Sequence, residues 1–264
     1  MADLEAALQR VVVAGRKKPL NRRFIVVEGV STHRGDVAPL AAIAALKRRY
    51  KFRLAVDETL SFGVLGRNGR GAAEAAGLAP GDVEIITGSL GTGAGSAGGF
   101  CVGSRVMVDH QRLSGSGYCF SASLPPVLAV GATAAVEAFE ADREGILARV
   151  SAAARALRSE VRGVAGLRDL ADAGGGGEAG GSPVVVAVLA ARREGVEEEV
   201  RVLAAVREGL LARGGALVEL QRPGVLDSGA VQPALRMLAT AEHTVEDVRE
   251  FGEMLRAVVA EVLR

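Results

Sequence analysis

The chain has 264 residues, 49% hydrophobic and 24% charged, enough to bury one large core or two modest ones. Its net charge of +1, from 32 basic against 31 acidic residues, argues against a nucleic-acid surface as the main partner. Cys101 and Cys119 are the only cysteines and the histidines 33, 110 and 243 are scattered, so the sequence carries neither a disulfide framework nor a metal-ligand spacing.

Met1 to Leu8 reads as the start of an amphipathic helix and not as a secretory leader. No apolar run reaches the ~18 residues that suggest a spanning helix. Phe24 to Val27 is a short apolar strand, followed by a loop from Gly29 to Pro39. Leu40 to Tyr50 reads as a helix, with Leu40, Ile43 and Leu46 facing one way. Further strands follow at 52–56 and 83–86. This rhythm predicts a largely parallel sheet covered by helices. Ligands of such sheets lie beyond the carboxyl ends of the strands, where the loops 57–71 and 87–99 fall. Asp57, at one strand end, has two readings: a carboxylate partner for a pyridinium nitrogen, or a cap on the next turn.

Pro125-Pro126 opens a helix through Ala138, and a second helix runs from Glu144 to Val161. Asp172 to Ser182 is glycine-rich and reads as a mobile surface insertion; no Lys-Ser or Lys-Thr follows, so it is not a phosphate loop. A buried strand at 184–190, a helix at 195–213, strands at 216–220 and 234–239 and a closing helix complete a smaller α+β domain. Thr244 reads as the N-cap of the closing helix, with Thr244-Val245-Glu246-Asp247 one residue off the capping-box spacing.

Three segments in combination resemble the α-oxoamine synthases: Asp57-Glu58-Thr59-Leu60-Ser61-Phe62-Gly63 with Gly66, Gly69, Arg70 and Gly71; Ile86-Thr87-Gly88-Ser89-Leu90-Gly91; and Gly98-Gly99-Phe100. Glu28-Gly29, Gly35 to Leu40 and Arg236 to Thr244 fit the same family, so the resemblance covers nearly the whole chain, the glycine-rich insertion excepted. It implies an α/β fold: the C-terminal part of a fold-type I pyridoxal-phosphate transferase large domain over 1–128, a mostly parallel sheet with flanking helices. A smaller α+β domain is expected over 129–264, with the flexible insertion at 172–182. Catalytic members condense an amino acid with an acyl-CoA, using a cofactor attached to lysine as an imine, a bond that no other side chain forms.

Arg22 to Gly29, Asp57 to Gly66 and above all Asp109 to Pro126 are similar to the first, lysine-less subunits of eukaryotic serine palmitoyltransferase. The likeness sets Thr92 at the lysine position and Leu60 at that of a histidine which hydrogen-bonds the cofactor's phenolic oxygen, so no catalytic residue is expected. The lysines 17, 18, 47 and 51 all precede this segment. Asp57, as ring-nitrogen partner, and Arg236, as substrate-carboxylate arginine, would be vestigial. Ser121 and Ala122 are expected to contact the phosphate of a partner's pyridoxal phosphate; the alternative is a serine-rich turn before a proline-started helix.

By the same likeness, a catalytic second subunit would hold the cofactor in a heterodimer, with none bound covalently here. That complex would join serine and palmitoyl-CoA to 3-ketosphinganine, the first step of sphingolipid biosynthesis, on the cytosolic face of the endoplasmic reticulum membrane. Small membrane regulatory subunits are further expected partners, and nucleic acid is not. Membrane contact would come only through a preceding segment or the partner. The likeness starts midway along the family, which implies a missing front half and, with it, an unpaired sheet edge and an uncovered face. Two alternatives are a scaffold or regulatory protein of the same fold and, against the missing lysine, an independently active α-oxoamine synthase.

Overall fold

The computed structural model describes residues 1–15, 23–173, 181–215, 218–223 and 231–264. Lys17, Lys18, Arg22 and residues 174–180 of the glycine-rich insertion lie outside them. Backbone contacts separate two units: Met1–Val30 with Ala38–Arg143, and Ser31–Val37 with Glu144–Arg264.

The first unit begins with α1 (Ala2–Ala14), which buries Leu8. Strand β1 (Phe24–Glu28) leads to α2 (Leu40–Tyr50), whose Leu40, Ile43, Ala44 and Lys47 form one buried stripe at helical spacing. Lys51 takes a left-handed conformation, φ 59°, and turns the chain into β2 (Arg53–Asp57). A short helix α3 (Ala72–Ala75), β3 (Ile85–Ser89) and β4 (Gly99–Gly103) follow. The sheet order is β1-β2-β3-β4, with the first three strands parallel and β4 antiparallel to β3. Ile25, Leu54 and Val56 are buried on one face, while on the opposite face Val26 is 75% exposed.

Strand β3 extends beyond the 83–86 expected from sequence because Thr87, Gly88 and Ser89 pair with β4. Glycines at both ends of β4 hide it from any periodicity argument, and the loop consequently starts at 90. Three helices complete the unit: α4 (Arg105–Ser114), capped by the Ser104 hydroxyl, α5 (Ser116–Phe120) and α6 (Pro126–Ala141).

In the second unit α7 (Arg143–Arg162) buries Val150, Ala153, Ala154, Leu157 and Val161. Strand β5 (Leu167–Asp169) and β6 (Val184–Leu189) precede α8 (Val196–Ala212), then β7 (Val218–Gln221), β8 (Ala234–Leu238) and α9 (Val245–Val262). The sheet order is β5-β6-β8-β7, antiparallel throughout. Strand β6 is buried along its whole length, which explains why Val184 to Leu189 reads as an unbroken apolar run. On one of its faces Val185, Ala187 and Leu189 join Leu157, Leu203, Val206, Leu235, Met237, Phe251 and Leu255 in a single core. On the other, Gly35 (φ +71°) approaches so closely that a Cβ there would stand 2.6 Å from the Val184 carbonyl oxygen.

Helix α9 corrects the expected capping. Asp247 is the third helical residue, so the spacing is that of a full capping box. The Thr244 hydroxyl accepts from the Asp247 N–H at 3.1 Å, and the Asp247 carboxylate accepts from the Thr244 N–H at 2.8 Å. Hydrogen bonds from the Thr244 hydroxyl, and then from its N–H, hold the Asp247 carboxyl below its ordinary value.

Candidate functional site

The carboxyl ends of β2 and β3 form the candidate site. Asp57 ends β2, and the next residues wind into a helical turn in which the Ser61 and Phe62 N–H groups donate to the Glu58 carbonyl at 3.0 and 2.7 Å. That turn sets Thr59 between the two strand ends. Its N–H donates to Asp57 Oδ1 (2.8 Å), and its hydroxyl accepts from the Ser89 N–H (3.2 Å). The Thr87 hydroxyl donates to Asp57 Oδ2 (3.2 Å), so both carboxylate oxygens are engaged within the protein. Thr92 lies exposed in the loop after β3, and its hydroxyl donates to the Thr59 carbonyl at 2.6 Å. Asp57 and Thr92 are thereby brought together through Thr59, with Leu60 half-buried in the same turn.

Glu58 is the foundation of this loop. Its side chain is fully buried, and its carboxylate accepts from the N–H groups of Ala72 (2.7 Å) and Ala73 (2.9 Å) and from the Ser61 hydroxyl. Gly71 (φ +109°) makes room, since any Cβ there would collide with the carboxylate. Nearby, Glu74 accepts from the Asn68 amide and from the N–H groups of Asn68 and Arg70. Burial alone would raise the Glu74 carboxyl, but those hydrogen bonds reverse the effect and leave it below its ordinary value. Phe100 covers Gly88 of β3 and meets Phe62 edge-on at 5.1 Å, packing the turn against the sheet.

Ser121 and Ala122 lie in the same unit, on the exposed link between α5 and α6, and the Ser121 hydroxyl donates to the Ala122 carbonyl at 3.3 Å. The surroundings are apolar and open to solvent: Leu113 is 81%, Phe120 88% and Val127 73% exposed. Arg236 belongs to the other unit, on β8, where it pairs with Glu219 directly across on β7. His110 is exposed on α4, and His243 Nδ1 accepts from the Thr240 N–H at 3.1 Å. Cys101 and Cys119 are free thiols. Among the described residues, no group of His, Cys, Asp and Glu side chains is arranged to hold a metal ion.

Among the described residues of this site, none fits covalent attachment of pyridoxal phosphate. Imine formation requires a primary amine, and the Thr92 hydroxyl supplies none. Lys47 sits at the opposite, amino ends of β2 and β3, where its ammonium donates to the Asp82 carbonyl (2.6 Å) and pairs with Glu84 (2.8 Å). Lys51 closes α2 at that same end.

Sequence reasoning singled out Asp57 and Thr92 but missed the threonines that join them, and it missed Glu58 and Glu219. Strand alternation carried a signal for Glu219: Val-Glu-Leu-Gln opposite Ala-Leu-Arg-Met sets Glu219 and Arg236 on one face.

A parallel sheet with one antiparallel edge strand, flanking helices and an acidic residue at a strand end define a class: the fold is that of the fold-type I pyridoxal-phosphate-dependent transferases. The family model for aminotransferase class I and II matches residues 1–175, and the chain belongs to that family. Among its relatives, long chain base biosynthesis protein 1b of Oryza sativa subsp. japonica is 35% identical over 263 residues, covering 100% of this chain and 53% of the relative. Serine palmitoyltransferase 1 of Dictyostelium discoideum is 48% identical over 140 residues, 53% of this chain and 29% of that protein. A high-resolution structure of serine palmitoyltransferase with a pyridoxal-phosphate internal aldimine superposes with TM-score 0.80 at 29% identity, covering 98% of this chain and 59% of the other. The chain thus spans about half the length of the curated relatives it matches over all its residues.

Proposed function

We propose that the chain acts as the non-catalytic subunit of a serine palmitoyltransferase, completing the active site of a lysine-bearing partner that holds pyridoxal phosphate. The observation that carries the reading is Thr92, whose hydroxyl closes onto the Thr59 carbonyl where attachment of the cofactor calls for an amine. Leucine at position 60 adds to it, since an aliphatic side chain offers neither a proton nor a hydrogen bond. The partner would join serine and palmitoyl-CoA to 3-ketosphinganine with release of CO2 and CoA.

The link between α5 and α6 suits the partner's side of the arrangement. Exposed Phe120 and Val127 flank the Ser121 hydroxyl and the backbone of Ala122, a pairing of apolar area with hydrogen-bonding groups suited to burial against another subunit. Ser121 and Ala122 would then donate to the phosphate of the partner's cofactor. Residence at the cytosolic face of the endoplasmic reticulum and association with small membrane subunits belong to the same proposal. Among the described residues no helix is long and apolar enough to cross a membrane.

Co-expression with a lysine-bearing catalytic subunit tests the reading. Co-purification and turnover that depends on both chains support it, and Ser121→Ala is expected to lower cofactor retention by the complex. A covalent cofactor adduct on this chain alone, or turnover by it alone, would sink the proposal.

A further inference from the structure

Arg236 and Glu219 are direct cross-strand partners, and the Arg236 Nε and Nη2 groups converge on the same oxygen, Glu219 Oε2. A guanidinium's fork of N–H donors is the group that recognises a carboxylate. One carboxylate is already there, and it belongs to the protein.

We propose that Glu219 is a specificity-determining residue: an internal carboxylate that occupies Arg236 and so excludes small external carboxylates, amino acids included, from this face. The inference rests on the reading of the chain as non-catalytic and deepens it, because such a subunit has no use for substrate at its own arginine. Register enforces the occupancy, since Glu219 lies opposite Arg236 whenever the β7–β8 ladder is formed. An external carboxylate must break the pair, and it must also approach the negative charge of Glu219. The first effect is worth about threefold for an exposed pair. Glu219 is 64% and Arg236 31% exposed, so solvent screens the second effect to a similar size. Together they predict about tenfold exclusion.

The test is titration of the full chain with sodium acetate and with L-serine, followed by the NMR signal of the Arg236 Nε–H group. Wild type, Glu219→Ala, Glu219→Gln and the double variant Glu219→Ala/Arg236→Gln are compared, and circular dichroism monitors the fold. The expected result is binding of both ligands about tenfold tighter in Glu219→Ala than in wild type, a smaller gain in Glu219→Gln, and loss in the double variant. Equal affinity in wild type and Glu219→Ala overturns the proposal, as does no binding in either or binding that survives Arg236→Gln. The readout needs no partner subunit: equal affinities leave the subunit assignment standing, and failure to co-purify leaves the titration result standing.

Discussion

Replacing Glu58 by alanine removes what is, among the described residues, the one side-chain acceptor for two buried backbone donors. The N–H groups of Ala72 and Ala73 point at its carboxylate from 2.7 and 2.9 Å, and the side chain is 0% exposed. Each donor left without a partner costs about 1–3 kcal/mol. The Ser61 hydroxyl can rotate toward another acceptor and is counted as small. Glu58→Ala is therefore expected to destabilise the first unit by about 3 kcal/mol or more. Glu58→Gln keeps one acceptor oxygen but turns its NH2 toward the second backbone donor, so about 1–3 kcal/mol is expected. The chain contains no tryptophan, so unfolding is best followed in urea by far-ultraviolet circular dichroism, with amide hydrogen exchange reporting locally. Exchange at Ala72 and Ala73 should accelerate in both variants, more in alanine. A Glu58→Ala protein within about 0.5 kcal/mol of wild type, with those two amides still protected, would refute the account, because that is the range of changes away from such features.

Other outcomes follow from the same structure. Arg158 and Asp169 form a buried pair at 2.6 Å, with side chains 7% and 0% exposed, so Asp169→Ala should cost about 3–5 kcal/mol in thermal or urea unfolding. Adding Arg158→Met should recover much of that loss, since the orphaned charge and not the missing attraction is the main penalty. The Asp247 carboxyl is held low in the folded state, so its contribution is present above its unfolded value and fades as pH falls through the folded one. The stability gap between wild type and Asp247→Asn should accordingly be widest near neutrality and close in acid, as thermal melts across pH would record. Thr92→Val removes one exposed hydrogen bond, worth about 0.5–1.5 kcal/mol. In a complex with a catalytic subunit it should leave turnover near wild type, and a large drop in the activity assay would contradict the assigned role.

Much of the fold was legible because local pattern and tertiary role agree. Of the face read as Leu40, Ile43 and Leu46, the first two lie on the buried stripe of α2 and Leu46 is half-buried, while Val184 to Leu189 is a strand buried on both faces. Strand β4 was not legible: Gly99 and Gly103 remove the alternation that marks a strand, and it exists by pairing with β3. Helix α5 escaped for a different reason, since Ser116–Phe120 is too short to show a helical period. In the candidate site, strand-end logic marked the loops 57–71 and 87–99, and the family likeness singled out Leu60 and Thr92 within them. Neither could show that Thr59 ties Asp57 to Thr92, because that depends on which way a turn winds. Glu58 went unnoticed because a glutamate after an aspartate looks like solvent-facing charge until Ala72 and Ala73 fold back onto it.

The apolar stretch around the link between α5 and α6 has a thermodynamic consequence of its own. Leu113, Phe120, Val127 and Val130 are each at least 67% exposed, and water ordered around such groups makes self-association entropy-driven. That force weakens on cooling. A concentrated solution of the chain by itself would thus turn turbid when warmed and clear again in the cold, the reverse of an aggregate held by hydrogen bonds.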